Sequence, residues 1–293
     1  MKIISVVITL VIVIVLASIV LGFIVWPIQG YEERIWNPYR EFFGLPIEYM
    51  PLMYHLDENS GDHIEDRSNH GNNGVAKVGL PHNSDGDKPP IWAIDKKDIL
   101  LGASALIFDG VDDYIVVDQS SEKARRYAEM LDHPEDGITI EFFIRVKREL
   151  DCDNDDTTNN WKYIISKGYP DTSYEVRLEE DYTISARFKI EGNTYTIKSD
   201  TDVGWKKWAH VAITYENRTG TAKIFINGFR DKREVWTPGE IDENTGELRI
   251  GGHRFGCPLD AGVPPAVLDE IRIYNIPLPS EEIIFHYQGV GII

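Results

Sequence analysis

Several groups of side chains in this sequence have the types and spacing to do chemistry. Glu240 and Asp242 lie two positions apart, on one face of any extended segment. Hydrolysis of a glycosidic bond needs such a pair of carboxylates. The next position on that face is Asn244, however, and Thr245-Gly246 forms a turn signal, which puts both acids in a loop. Asp151, Asp153, Asp155 and Asp156 imitate the start of a calcium loop, but Asp156 stands where that loop needs glycine and Lys162 where it needs glutamate. A solvated acidic loop accounts for them better. Asp109, Asp112 and Asp113 could ligate a cation, although bonding to turn backbone explains them more simply. His210 offers a base, yet no nucleophile lies near it in sequence, and Trp208 and Val211 mark a structural position. No Ser-His-Asp order, phosphate-binding glycine loop or His-rich metal box occurs. The residues argue against an enzyme.

Two cysteines, Cys152 and Cys257, both sit in loop-like sequence. In an exported domain they are compatible with one disulfide, and two free thiols are the alternative. One Asn-x-Thr acceptor occurs, Asn217-Arg218-Thr219, on an expected hairpin turn, so Asn217 is a candidate glycosylation site. The formal net charge is −18. Nucleic acid is bound through clustered lysine and arginine, so it is excluded as the expected partner.

These groups need a scaffold, and the scaffold begins with an apolar leader. Residues 3–26 carry no charged side chain. At 1.5 Å per residue they span roughly 36 Å, enough to cross the hydrocarbon of a bilayer. The stretch is longer than the apolar part of a cleaved signal peptide and ends in bulky residues. It is expected to be an uncleaved transmembrane helix. Residues 1–2 then form a cytoplasmic end, since Lys2 precedes the span. Residues 27–50 form an aromatic juxtamembrane linker, and 51–293 form one domain outside the membrane.

That domain reads as strands. Ile138, Ile140, Phe142, Ile144 and Val146 alternate with Thr139, Glu141, Phe143, Arg145 and Lys147, the period of a sheet with one face on a core. Further strands are expected at 105–108, 114–117, 163–166, 174–178, 184–190, 194–198, 209–215, 222–226, 247–250 and 268–274. Asp109-Gly110, Lys167-Gly168, Gly192-Asn193, Thr219-Gly220, Asn227-Gly228 and Gly251-Gly252 separate them. Short helices are expected at 120–131 and 277–288, the second with Ser280 as its N-cap.

Four stretches in order carry a resemblance. They are MYHLDENSGDHIEDRSNHGNNGVAKVG from Met53, ALIFDGVDDYIVV from Ala105, WKKWAHVAITYENRTGTAKIFINGF from Trp205 and LDEIRIYNIPLPSEEIIFHY from Leu268. Together they resemble the laminin-G-like, concanavalin A-like lectin/glucanase superfamily, in the subgroup of prokaryotic surface proteins. The resemblance implies an all-β, antiparallel two-sheet jelly-roll sandwich, here preceded by one N-terminal transmembrane helix. It also implies a structural calcium between the early loop and the closing strand, at Asp66, Asn69, Asn73 and Asp269. The expected function is a membrane-anchored, non-catalytic module that binds glycan or protein at the cell surface. A structural subunit of a membrane complex or envelope layer is the alternative, with a glycoside hydrolase behind it. Expected partners are membrane lipid through the leader, a glycan or surface protein, and membrane-complex subunits. Aromatic platforms for a sugar are sought among Trp161, Tyr163, Tyr169, Tyr174, Tyr182, Tyr195 and Trp236.

Overall fold

The computed structural model describes residues 49–78, 89–110, 113–147, 162–168, 171–252 and 264–289. The leader at 3–26, most of the linker, Asp112, both cysteines, the Asp151 to Asp156 run, Trp161 and Tyr169 lie outside these residues. Among the described residues no helix is long and apolar enough to cross a membrane. The end of the linker rests on the domain: Met50 is buried, and Asn275 donates its amide to the Tyr49 carbonyl at 3.0 Å.

The strands, in chain order, are β1 (Leu52–Tyr54), β2 (His63–Ile64), β3 (Gly74–Val78), β4 (Ile91–Trp92), β5 (Leu106–Ile107) and β6 (Asp113–Val117). There follow β7 (Gly137–Val146), β8 (Lys162–Lys167), β9 (Tyr174–Leu178), β10 (Thr183–Ile190) and β11 (Asn193–Asp202). The last are β12 (Trp208–Glu216), β13 (Thr221–Ile226), β14 (Phe229–Val235), β15 (Leu248–Gly251) and β16 (Ala266–Tyr274). Sheet A runs β14-β13-β12-β7-β16-β5-β4, with β1 also paired to β16. Sheet B runs β11-β10-β9-β8-β15-β6-β3-β2. Every pair is antiparallel.

Alternation seals the two sheets against each other. Ile138, Ile140, Phe142, Ile144 and Val146 of β7 join Val211, Ile213 and Tyr215 of β12 from one side. Tyr174, Val176 and Leu178 of β9 and Ile184, Ala186 and Phe188 of β10 meet them from the other. Each fully buried side chain of this size contributes about 1.5–3 kcal/mol. Tyr195 stacks on Trp236 with ring centroids 5.2 Å apart, and Trp236 lies 5.9 Å from Tyr215. Trp236, Tyr195 and Tyr182 thus pack against the core.

Two glycines are demanded by geometry. Asn227-Gly228, at φ of 52° and 78°, makes the two-residue turn between β13 and β14, where Ile226 pairs with Phe229. At Gly137, with φ of 130°, an added Cβ would stand 2.1 Å from the Tyr215 carbonyl oxygen.

The expected helix at 120–131 divides into α1 (Glu122–Tyr127) and α2 (Glu129–Asp132), and Ser121 caps α1 by accepting the Ala124 amide at 3.0 Å. The closing helix α3 (Ser280–Gly289) starts one residue earlier than its expected cap allows. Glu282 and Ile283 donate to the Pro279 carbonyl, so Ser280 lies inside the first turn. Strand β14 is an addition that alternation did not announce.

Candidate functional site

Side chains opposite one another in a ladder share a face, so the register maps both outer faces. On sheet A, one outward row is Trp208, Arg145, Val267, Ile107 and Ile91. Next to it lie His210, Phe143 and Asp269, then Ala212, Glu141 and Arg272. Helix α3 turns Glu282, Ile283 and His286 inward against this face.

The result is a sealed charge network. Glu141 accepts from His210 Nε2 at 2.6 Å and from His286 Nδ1 at 2.7 Å. His286 Nε2 stands 3.3 Å from Glu282, and Arg272 stands 4.0 Å from Glu141. Arg272 pairs with Glu270, which also takes His55 at 2.7 Å. His210 Nδ1 is buried without a hydrogen-bond partner among the described residues, as suits a neutral ring donating from Nε2.

Burial raises the Glu141 carboxyl, but His286 and His210 outweigh it and hold it far below its ordinary value. Burial lowers His286, and Glu141 more than restores it, so His286 ends raised. His210 stays lowered, because burial there exceeds the pull of Glu141. Burial and then Glu270 push Asp269 well up. Glu270 itself ends lowered, as His55 and Arg272 overcome its burial. Glu141 and His210 at the heart of this network are fully buried, and its chemistry is to hold α3 on the sheet.

Sheet B is built differently. One row crosses all eight strands: Thr196, Arg187, Glu175, Ser166, Arg249, Val116, Val75 and His63. Its middle is buried and its ends are exposed. A flanking row holds Lys198, Ser185, Arg177 and Tyr163, and Tyr114, opposite Gly251 of β15, lies on the same side of the central row. Glu175 organises the centre. It pairs with Arg177, takes Arg187 Nε at 2.9 Å and accepts the Thr172 hydroxyl at 2.9 Å. Arg177 lies over the Tyr163 ring at 5.2 Å and Arg249 over Tyr114 at 4.4 Å. Arg249 bonds Glu247 through Nε at 3.0 Å, while its buried Nη1 has no hydrogen-bond partner among the described residues.

Guanidinium, carboxylate and hydroxyl groups here sit beside two half-buried tyrosine rings, each with an arginine over it. Such a surface supplies the donors, acceptors and aromatic faces that a sugar's hydroxyls and C–H faces require. The alternation of Glu175 and Arg177 in β9, and of Ser185 and Arg187 in β10, was the sequence signal for it.

The residues singled out earlier scatter. Asp66 accepts the amides of Met53, Ser68 and Asn72 and the Ser68 hydroxyl, and its own amide donates to Asn73 Oδ1. Asn69 occupies the same loop at φ 69°. Asp269 instead accepts the amides of Leu100, Leu101 and Glu270. The two carboxylates thus accept backbone amides from separate sets of residues. Among the described residues no group of three or more His, Cys, Asp or Glu is placed to hold a metal.

Asn217 is 6% exposed, and its Nδ2 donates to the carbonyls of Pro134 and Glu135 at 3.0 and 2.8 Å. In the folded domain that nitrogen is engaged by two backbone carbonyls. Glu240 pairs with His133 at 3.1 Å, and Asp242 accepts the Gly192 amide at 3.1 Å. Of the aromatic pool, Tyr174 is core, with its hydroxyl on the Leu131 carbonyl, and Tyr163 alone among its described members lies on the outer row.

Comparison with known proteins agrees with this architecture. The family model described as the concanavalin A-like lectin/glucanases superfamily matches residues 109–284. No curated protein matches. Solved structures that do match include the receptor binding domain of botulinum neurotoxin D, at 14% identity and TM-score 0.58, covering 84% of this chain and 54% of that one. The serotype D ligand binding domain in complex with N-acetylneuraminic acid matches at 14% identity and TM-score 0.57, covering 83% and 51%. Botulinum neurotoxin type C, whose cell entry depends on two ganglioside molecules, matches at 12% identity and TM-score 0.58, covering 83% and 52%. This chain spans about half the length of these structures. At such identity the likeness is one of fold.

Proposed function

Because this chain belongs to the concanavalin A-like lectin/glucanases superfamily, we propose that its domain is a non-catalytic saccharide-binding module that uses the outer face of sheet B. The observation that carries this reading is the eight-strand row, with Arg187, Glu175, Ser166 and Arg249 at its centre and Tyr163 and Tyr114 beside it. The sialic acid and ganglioside binding of the structural neighbours supports a sugar as the ligand class. The uncharged stretch at 3–26 supports tethering to a membrane with the domain on its outer side.

A glycan array probed with the full chain tests the reading. Saccharide binding that is lost in Tyr163→Ala and Arg187→Ala supports it. Silence across the array, or binding untouched by both substitutions, contradicts it. Release of reducing ends from polysaccharide would make the module an enzyme instead.

A further inference from the structure

At the row of Trp208, Arg145, Val267, Ile107 and Ile91, a loop takes over as the cover of sheet A. Ala93 and Ile99 of this loop pack with Ala105, Val267, Ile107 and Trp208. The loop leaves Ile94 pointing outward at 86% exposed, and Ile91 on edge strand β4 is 55% exposed. Trp205 is 43% exposed. Three of the six exposed large apolar side chains among the described residues thus belong to this end. Arg145 links the two segments: its guanidinium pairs with Asp98, and its Nε donates to the Lys206 carbonyl at 3.3 Å. Lys206 also donates its amide to the Val146 carbonyl at 2.9 Å, which fixes the Trp205 loop at the end of β7.

Among the described residues of this end the charge runs against that of the chain. Lys96, Lys97, Arg145, Lys147, Lys206 and Lys207 give +6, and Asp95, Asp98 and Asp202 give −3, leaving +3 in a chain of −18. The Lys206 ammonium lies 3.9 Å from the centroid of the Trp205 ring. A flat aromatic ring with an ammonium on its face, aliphatic side chains and a fringe of lysine is the composition that settles at a headgroup layer.

We infer that this end of the domain, built from Ile91, Ile94, Lys96, Trp205, Lys206 and Lys207, docks on an anionic lipid surface. Charge complementarity selects that occupant. A second copy joined by a two-fold axis would set the same positive patch against itself. The surface is separate from the sheet B row, so it stands or falls without the saccharide reading.

The test uses the full chain with nanodiscs whose acyl chains are brominated, either phosphatidylcholine alone or with phosphatidylserine. Bromine quenches tryptophan that reaches the lipid. The share of Trp205 is the emission of the chain minus that of Trp205→Phe, which removes the other tryptophans from the comparison. The expected result is quenching of that share in phosphatidylserine discs and none in phosphatidylcholine discs. A chain carrying Lys96→Glu, Lys206→Glu and Lys207→Glu should need roughly 100-fold more anionic lipid, at about fivefold per lysine. An unquenched Trp205 share in anionic discs overturns the inference. Equal quenching in both lipids, or the same change from raised protein concentration without lipid, overturns it as well.

Discussion

The outward residues of sheet A pair with a helix, whereas those of sheet B pair with one another and with the residues that edge the sheet. On sheet A, Glu141 meets His286 of α3 and His210 of β12 with all three buried. On sheet B, Glu175 meets Arg177, Arg187 and Thr172, and Arg187 keeps about a third of its side chain exposed. Both faces arise from the same alternation and carry the same kinds of charge. The cover decides what that charge does: the Glu141 carboxylate, enclosed by imidazoles, fastens a helix, and the Glu175 carboxylate, itself buried, is joined to the surface through the partly exposed Arg187 guanidinium.

The largest effect should come from Glu141→Ala, which removes the buried acid that His210 and His286 share. Breaking a buried pair from one side costs about 3–5 kcal/mol. Urea denaturation checks it, and a loss below about 1 kcal/mol would erase the distinction between the faces. The pH dependence should follow from the same centre. His286 is raised, so its contribution is full below its ordinary value of 6.5 and is lost as pH rises through the folded value. His210 and Glu141 are lowered, so theirs are present above the ordinary values of 6.5 and 4.5 and decline as pH falls below them. In His286→Gln the alkaline decline in stability, read from denaturation midpoints, should shrink while the acid decline from His210 persists.

On the other face the expected order reverses. Tyr163→Ala and Arg187→Ala should cost about 1 kcal/mol of stability or less, since Arg177 still pairs with Glu175, and should lower saccharide affinity at least tenfold, about 1.4 kcal/mol. Calorimetry with an array hit measures both. The smallest effect is reserved for Ile94→Ser, an exposed site where folding stability should change by no more than about 0.5 kcal/mol.

The β7 and β12 cores were legible because their apolar residues fall at strict period two. Tyr174 could have been read as core by the same rule, since it shares parity with Val176 and Leu178, although as an aromatic it stood among the candidate sugar platforms. Strand β14 was not, because Phe229-Arg-Asp-Lys-Arg-Glu-Val is an edge strand that keeps its charges in solvent and buries no face. Alternation also says only which side chains point away from the core. It cannot say that α3 returns from the far end of the chain to cover Glu141 and His210, or that the 134–135 backbone closes over Asn217. Those outcomes depend on tertiary contacts separated by 69 to 145 positions.

Hydrogen exchange of the full chain with and without a bound saccharide tests the central claim most directly. The account predicts slowed exchange in β8, β9, β10 and β15, with α3 and the strands beneath it unchanged. Slowing confined to α3 and sheet A would contradict it.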